Sequence, residues 1–220
     1  VAITRTGSQT IKSALDHSGL GRTPNKNFHY PDVSYRHPQH YSTLDWRVIR
    51  GEEDFNSRFK FTFVRNPWSH LVSHYTNHCR VGAAGLRQGD AHRPEVFNKW
   101  AKKTLTTRLV EKCGFPPREN QSPCDHYRNI HWNCLDWISD ENGNIIVDFI
   151  GRYENLEEGW REVRRRIEEH SGVPIPHDPE LRNVHVSNVG HDYRYYYNDE
   201  SIELIRKYYK KDIEEFGYEF

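Results

Sequence analysis

Two short segments carry residue types that suit an anionic ligand. In Arg5-Thr6-Gly7-Ser8-Gln9-Thr10 a cation, a glycine and several hydroxyls stand between an apolar run, Val1 to Thr4, and Ile11, Ala14 and Leu15 at helical spacing. A turn from a strand into a helix presents backbone N–H groups without intrahelical partners, together with the positive end of the helix dipole, and both favour an anion. Gly7 lets the backbone approach a phosphate closely, Ser8 and Thr10 add hydroxyl donors, and Arg5 adds a permanent charge. The same six residues also describe an ordinary strand-to-helix turn capped by Ser8, and local composition alone favours that plainer reading.

The second segment is FTFVRNPWSHLVSHY. Arg65 falls where a strand ends, Pro67 suits the first position of a helix, and Ser73 sits about two turns further on. Arg65 can fork onto a phosphate, and Ser73 can donate its hydroxyl to a ligand lying along that helix. The alternative is a surface arginine and a solvated serine beside a core of Phe61, Phe63, Trp68, Leu71 and Val72. Neither segment contains G-x-x-x-x-G-K-[ST], and no acidic strand end stands ready to hold Mg²⁺, which argues against a P-loop phosphotransferase.

The elements that must position these residues alternate between strand and helix patterns. Val1 to Thr4 reads as a short buried strand, and Ser42 or Thr43 caps a short helix through Val48. Phe59 to Val64 has strand composition, with a helix from Pro67 and another over Pro94 to Leu105. The Gly-rich stretch Arg80 to Arg93 reads as a mobile loop. Trp137 to Val147 reads as a hairpin turning at Asn142-Gly143 and leading into Asp148-Phe149-Ile150. Leu156 to His170 is an amphipathic helix, and Asn198 caps a final helix with Ile202, Ile205, Tyr209 and Ile213 on one face. The Tyr195-Tyr196-Tyr197 cluster reads as core and helix-end packing. This order predicts a three-layer α/β fold with a mainly parallel central sheet, in one domain over residues 1–220.

Bulk properties narrow the function. Thirty-one Lys and Arg balance thirty-one Asp and Glu, so no global basic field draws the chain onto nucleic acid or an anionic membrane, and an anion site must be local. The arginines of RYENLEEGWREVRRRIEEH have acidic neighbours three and four residues away, which predicts an ion-paired solvated face. Aromatic residues make up 13%, enough for a packed core despite a polar composition. No apolar run approaches the ~20 residues that span a bilayer, and the first residues lack a signal peptide's pattern. This predicts a chain without membrane contact, cytoplasmic if it is full length and of the Golgi lumen if it is a trimmed catalytic domain. Cys79, Cys113, Cys124 and Cys134 form no C-x-x-C pair, which gives a zinc ribbon little support.

TRTGSQT and FTFVRNPWSHLVSHY together resemble the two nucleotide-binding motifs of sulfotransferases that use 3′-phosphoadenylyl sulfate (PAPS), and more narrowly the carbohydrate branch called sulfotransferase family 2. The likeness continues through HYSTLDWRVI, SDENGNIIVDFIGRYENLEEGW and YRYYYNDESIELIRKYYKKDIEEFGYEF. It implies a P-loop-like sulfotransferase fold in which Arg5, Thr6, Gly7, Ser8, Gln9 and Thr10 bind the 5′-phosphosulfate while Arg65 and Ser73 bind the 3′-phosphate. It also implies that no metal is required, since the leaving phosphate is held by backbone N–H groups and a cation. Relatives usually carry Lys where this chain has Arg5; Arg keeps the charge and almost never gives up its proton, so Arg5 reads as an electrostatic clamp.

The acceptor hydroxyl needs a base. The resemblance points to His40, with His37 of the same loop next, and a neutral imidazole can take the hydroxyl proton as sulfur is attacked. Arg182, Asn183, His185 and Ser187 read equally as a lid over the nucleotide and as a polar connector. The function expected is transfer of a sulfuryl group from PAPS to a hydroxyl-bearing acceptor, a glycan or small molecule. The rivals are a P-loop phosphotransferase and a nucleotide- or glycan-binding module that has lost turnover.

Overall fold

The computed structural model describes residues 1–17, 41–106, 133–175, 181 and 191–220. His37, His40, Cys113, Cys124 and the four lid candidates lie outside them. In chain order the principal elements are α1 (Ser8–His17), α2 (Thr43–Arg50), α3 (Glu52–Asn56), β1 (Phe61–Val64), α4 (Pro67–Val81), α5 (Pro94–Thr106), α6 (Cys134–Ile138), β2 (Phe149–Arg152), α7 (Leu156–Ser171), α8 (Asp199–Tyr208) and α9 (Lys210–Phe216). They fall into two compact units, one of Val1–Val64 with Cys134–His185 and one of Arg65–Asn133 with Val186–Phe220.

The first unit is built on a small parallel sheet. β1 and β2 pair in the register Phe61↔Phe149, Thr62↔Ile150, Phe63↔Gly151 and Val64↔Arg152, and parallel pairing demands a crossover between them. Phe63 sets how α7 packs. A Cβ at Gly151 would stand 2.4 Å from its ring, and one at Gly159 would stand 2.6 Å away, so the two glycines are the flat seat on which the ring lies. Around it Ile11 and Ala14 of α1 meet Trp160 and Val163 of α7, the apolar faces that the periodicity predicts.

The expected first strand is not assigned: the backbone nitrogen of Val1 donates to Phe61 O at 2.8 Å and Thr62 Oγ1 donates to Val1 O at 3.0 Å, but residues 4–7 already turn. The expected hairpin is likewise reduced to one antiparallel bridge, Ser139↔Ile145. Gly143, at φ 85°, turns the chain as predicted, but Trp137 and Ile138 close α6 instead of a strand, with Trp137 and Ile138 fully buried. Two apolar residues in a row can serve either period, and burial decided it. Ser42 caps α2 through a reciprocal capping box with Asp45, as its sequence position predicts.

The second unit packs α4, α5 and α8. Asn66 caps α4, accepting from the amides of Trp68 and Ser69, with Pro67 at the first helical position and Gly82 in the left-handed conformation at the end. Tyr75 lies edge-on to Phe97 at 5.2 Å between ring centres and tilted to Trp100 at 5.4 Å, and all three are buried. The stretch predicted as a mobile loop contains 3₁₀ turns at Ala83–Gly85 and Gln88–His92. The second is tethered by Tyr75, whose hydroxyl donates to Asp90 O at 2.6 Å, and by Tyr196, whose hydroxyl donates to Ala91 O at 2.8 Å. Asn198 caps α8, but the predicted single helix breaks at Tyr209 (φ −108°, ψ 26°), whose ring is buried. Cys79, in the second unit, and Cys134, in the first, are buried and form no disulfide among the described residues. No helix among the described residues is long and apolar enough to cross a membrane.

Candidate functional site

The opening loop is a strained backbone held from two sides. Arg5 has φ 63° and Gly7 φ 83°, so two of three consecutive residues are left-handed, and for Arg5 that conformation costs about 1–3 kcal/mol. Thr6, between them, is 1% exposed and its hydroxyl donates to Ile3 O at 2.9 Å. Its side chain therefore fixes the loop from beneath, which leaves its backbone and not its hydroxyl for a ligand. From the other side Leu156 and Tyr153 cover Gly7: a Cβ there would stand 3.0 and 3.1 Å from the two Leu156 methyls and 3.3 Å from Tyr153 Cδ2. The glycine is thus required both for its φ and for its missing side chain.

The helix begins directly from this loop. Gly7 O accepts from Ile11 N at 3.0 Å, which makes Gly7 the residue before the helix and Ser8 its first member. Ser8 is therefore not the cap that the plainer sequence reading requires. A glycine cap supplies no side-chain acceptor, so helix geometry leaves the first amides, those of Ser8, Gln9 and Thr10, without intrahelical carbonyls. The first turn of α1 holds no acidic residue, so nothing in the helix itself competes for an anion at its positive end. Ser8 and Gln9 are half-buried and Thr10 is buried.

Arg65 follows β1 directly and belongs to the second unit. It is half-buried, and its Nε donates to Ser69 Oγ at 2.9 Å. That bond orients the guanidinium along the start of α4, an arrangement the sequence reading missed although Ser69 stands four residues away. Ser73, one turn beyond Ser69, is buried. It is flanked by His70 and His74, both buried, whose Nε2 atoms lie 3.2 Å apart. Asn66, also missed, fixes the start of the helix twice: its Oδ1 takes the two amides of the first turn and its Nδ2 donates to Glu219 O at 2.8 Å. The N-P dipeptide was the available signal for that cap.

The structure thus places residues 5–10 in one turn that runs into the start of α1 in the first unit, and Arg65, Ser69 and Ser73 along one helix start of the second. Among the described residues no group of three His, Cys, Asp or Glu side chains could hold a metal ion. A stretch of 117 residues is 28% identical to an uncharacterized protein of Archaeoglobus fulgidus, covering 53% of this chain and 73% of that one. No solved structure matches. Residues 2–219 match the family described as "Sulfotransferase family", and the chain belongs to the sulfotransferase family.

Proposed function

We propose that residues 1–220 form one PAPS-dependent sulfotransferase domain that sulfates a hydroxyl of a carbohydrate acceptor. The observation that carries this reading is the opening loop, with its left-handed Arg5 and Gly7 ahead of a helix start free of acidic residues. The amides of residues 6–10 receive the 5′-phosphosulfate, while Arg65 and Ser73 bind the 3′-phosphate. Family membership over nearly the whole chain supports both assignments.

The reaction is an in-line displacement at sulfur. The acceptor oxygen forms the new S–O bond as the S–O bond to the 5′-phosphate breaks, and the acceptor proton passes to His40, with His37 the next base in the same loop. Charge grows on the leaving phosphate and on the equatorial sulfuryl oxygens. Arg5 and the loop amides stabilise it there, and this electrostatic preorganisation is the main contribution expected of the protein.

Calorimetry with 3′,5′-adenosine bisphosphate, followed by a labelled-sulfate acceptor screen, tests the reading. Arg65→Ala weakens binding of the bisphosphate, while His40→Ala leaves that binding in place and lowers turnover. Wild-type behaviour of both variants overturns the assignment. Tight binding with no transfer to any acceptor would point instead to a binding module, and Arg5 in place of the usual Lys is the feature that would favour it.

A further inference from the structure

The two helix starts assigned to the nucleotide offer different donors. α1 begins from Gly7, which has no side-chain acceptor, whereas the amides at the start of α4 are already engaged. Pro67 has no N–H, the amides of Trp68 and Ser69 donate to Asn66 Oδ1 at 3.0 and 3.2 Å, and the amide of His70 donates to Asn66 O at 2.8 Å. An anion at this end finds its backbone donors spent on the cap and must be met by side chains.

Burial decides which side chains an arriving anion reaches. From Thr62 to Thr76 every residue is buried except Arg65 and Ser69, which are half-buried. These two are joined, since Arg65 Nε donates to Ser69 Oγ at 2.9 Å. The serine acts there as acceptor, so its own O–H remains a donor. Ser73, one turn further along, is 3% exposed, and Ser69 therefore presents the more accessible hydroxyl. α4 contains no Asp or Glu to compete for these donors. The helix start that carries the pair is also clamped. Asn66 Nδ2 donates to Glu219 O at 2.8 Å, the Phe220 ring lies edge-on to Trp68 at 5.7 Å, and the Tyr197 hydroxyl donates to Trp68 O at 2.8 Å.

We infer that Ser69 is a further ligand of the nucleotide's 3′-phosphate and a determinant of selectivity for it. Its oxygen holds the Arg65 guanidinium, and its proton goes to a phosphate oxygen. This deepens the nucleotide reading above and rests on it. A phosphate monoester carries three strong acceptor oxygens, so a guanidinium and a hydroxyl one helical turn apart can each take a different one. A ribose 3′-hydroxyl in the same place has neither the charge nor the spare acceptors, and the pair then loses its purpose. Because the clamped helix start orders Arg65 and Ser69 during folding, little ordering is left for binding to supply.

The test is displacement calorimetry on the full chain with 3′,5′-adenosine bisphosphate and with 5′-AMP, which lacks the 3′-phosphate. Ser69→Ala is expected to weaken bisphosphate binding about tenfold, the worth of one charge-assisted hydrogen bond, and 5′-AMP binding less than twofold. Ser69→Thr, which keeps the hydroxyl, should hold bisphosphate affinity within about threefold. Alanine suits a helix, and retained 5′-AMP binding shows that the Ser69→Ala chain is folded. A ratio of the two affinities that is the same in Ser69→Ala and wild type overturns the inference, and so does an equal loss of both nucleotides or a Ser69→Thr chain as weak as Ser69→Ala. Wild type that binds the two nucleotides equally overturns the 3′-phosphate reading itself. Wild type that prefers the bisphosphate, with Ser69→Ala preferring it just as strongly, removes Ser69 alone and leaves that reading in place.

Discussion

Gly7→Ala tests whether the opening loop is held in the way its geometry implies. At φ 83° an alanine pays about 1–2 kcal/mol for a left-handed backbone, offset by about 0.4–1 kcal/mol from stiffening the unfolded chain. The new Cβ would also stand 3.0 to 3.3 Å from Leu156 and Tyr153, closer than ordinary van der Waals contact, so those side chains must give way by a few tenths of an ångström. With that contact added, the net loss is about 1–2 kcal/mol, which lowers the melting temperature by roughly 2–8 °C for a chain of this size. Binding suffers separately. A loop displaced at its centre misaligns the amides of Ser8 to Thr10, and the loss of one charge-assisted hydrogen bond of about 1.5 kcal/mol is a tenfold loss of affinity for 3′,5′-adenosine bisphosphate. A double-mutant cycle with Leu156→Ala separates the two causes: relieving the contact makes Gly7→Ala less costly, but the part due to φ remains. A Gly7→Ala variant with unchanged melting temperature and unchanged bisphosphate affinity refutes the reasoning.

Three further outcomes are expected. Gly159→Ala, which would set a methyl 2.6 Å from the Phe63 ring, destabilises by about 1–3 kcal/mol in urea denaturation, and Phe63→Leu in the same chain restores part of that loss; additive losses would mean that the ring is not the obstacle. Arg5→Lys keeps bisphosphate affinity within about threefold and raises turnover, because an ammonium can give a proton to the leaving phosphate, whereas Arg5→Ala lowers turnover about a hundredfold; equal turnover in all three chains removes Arg5 from the chemistry. Hydrogen bonds from Arg165 and then Arg166 hold the Glu162 carboxyl down at about 2, against about 4.3 for a free glutamate, so their stabilisation is present above the unfolded value and disappears as pH falls toward 2. Glu162→Gln should flatten the stability profile across that acid window and lower stability at pH 7 by the same small amount, since water screens these partly exposed charges; an unchanged acid profile would show that Arg165 and Arg166 gain nothing from Glu162.

The elements with long periodic patterns were legible because periodicity and burial agree in them. Ile11 and Ala14, Trp160 and Val163 are core residues at the spacing that marks them. Short elements were not, since a run such as Trp137-Ile138 satisfies a strand or one turn of helix equally and only the surrounding contacts choose. The loop from Arg80 to Arg93 looked mobile because glycine and charge dominate it, while the tethers that order it come from Tyr75, in the preceding helix, and from Tyr196, more than a hundred residues away in the chain. Tertiary hydrogen bonds of that span leave no local trace. The candidate site was legible as residue types and not as geometry: Thr6 was named only as one of six residues on the phosphosulfate, while the fold spends its hydroxyl on Ile3, and Leu156 was named only for its place in a helix pattern, although it is what presses on Gly7.

The position of Arg5 follows from this difference. Its left-handed φ is not a preference of arginine, which gains nothing from it, and no glycine-like freedom explains it. The constraint comes from both neighbours: Thr6 is tied down to Ile3, and Gly7 is fixed by its own φ and by Leu156. Between those anchors the chain has little freedom to relax residue 5, so the strain is imposed by the frame of the loop and falls on the residue assigned to the reacting phosphate. A cation presented from a strained backbone loses little conformational freedom when its anion arrives, since the ordering has already been done in folding. That argument applies to Lys and Arg alike, so the difference expected between them lies in the side chains, a fork that keeps its proton against a compact ammonium that can give one up.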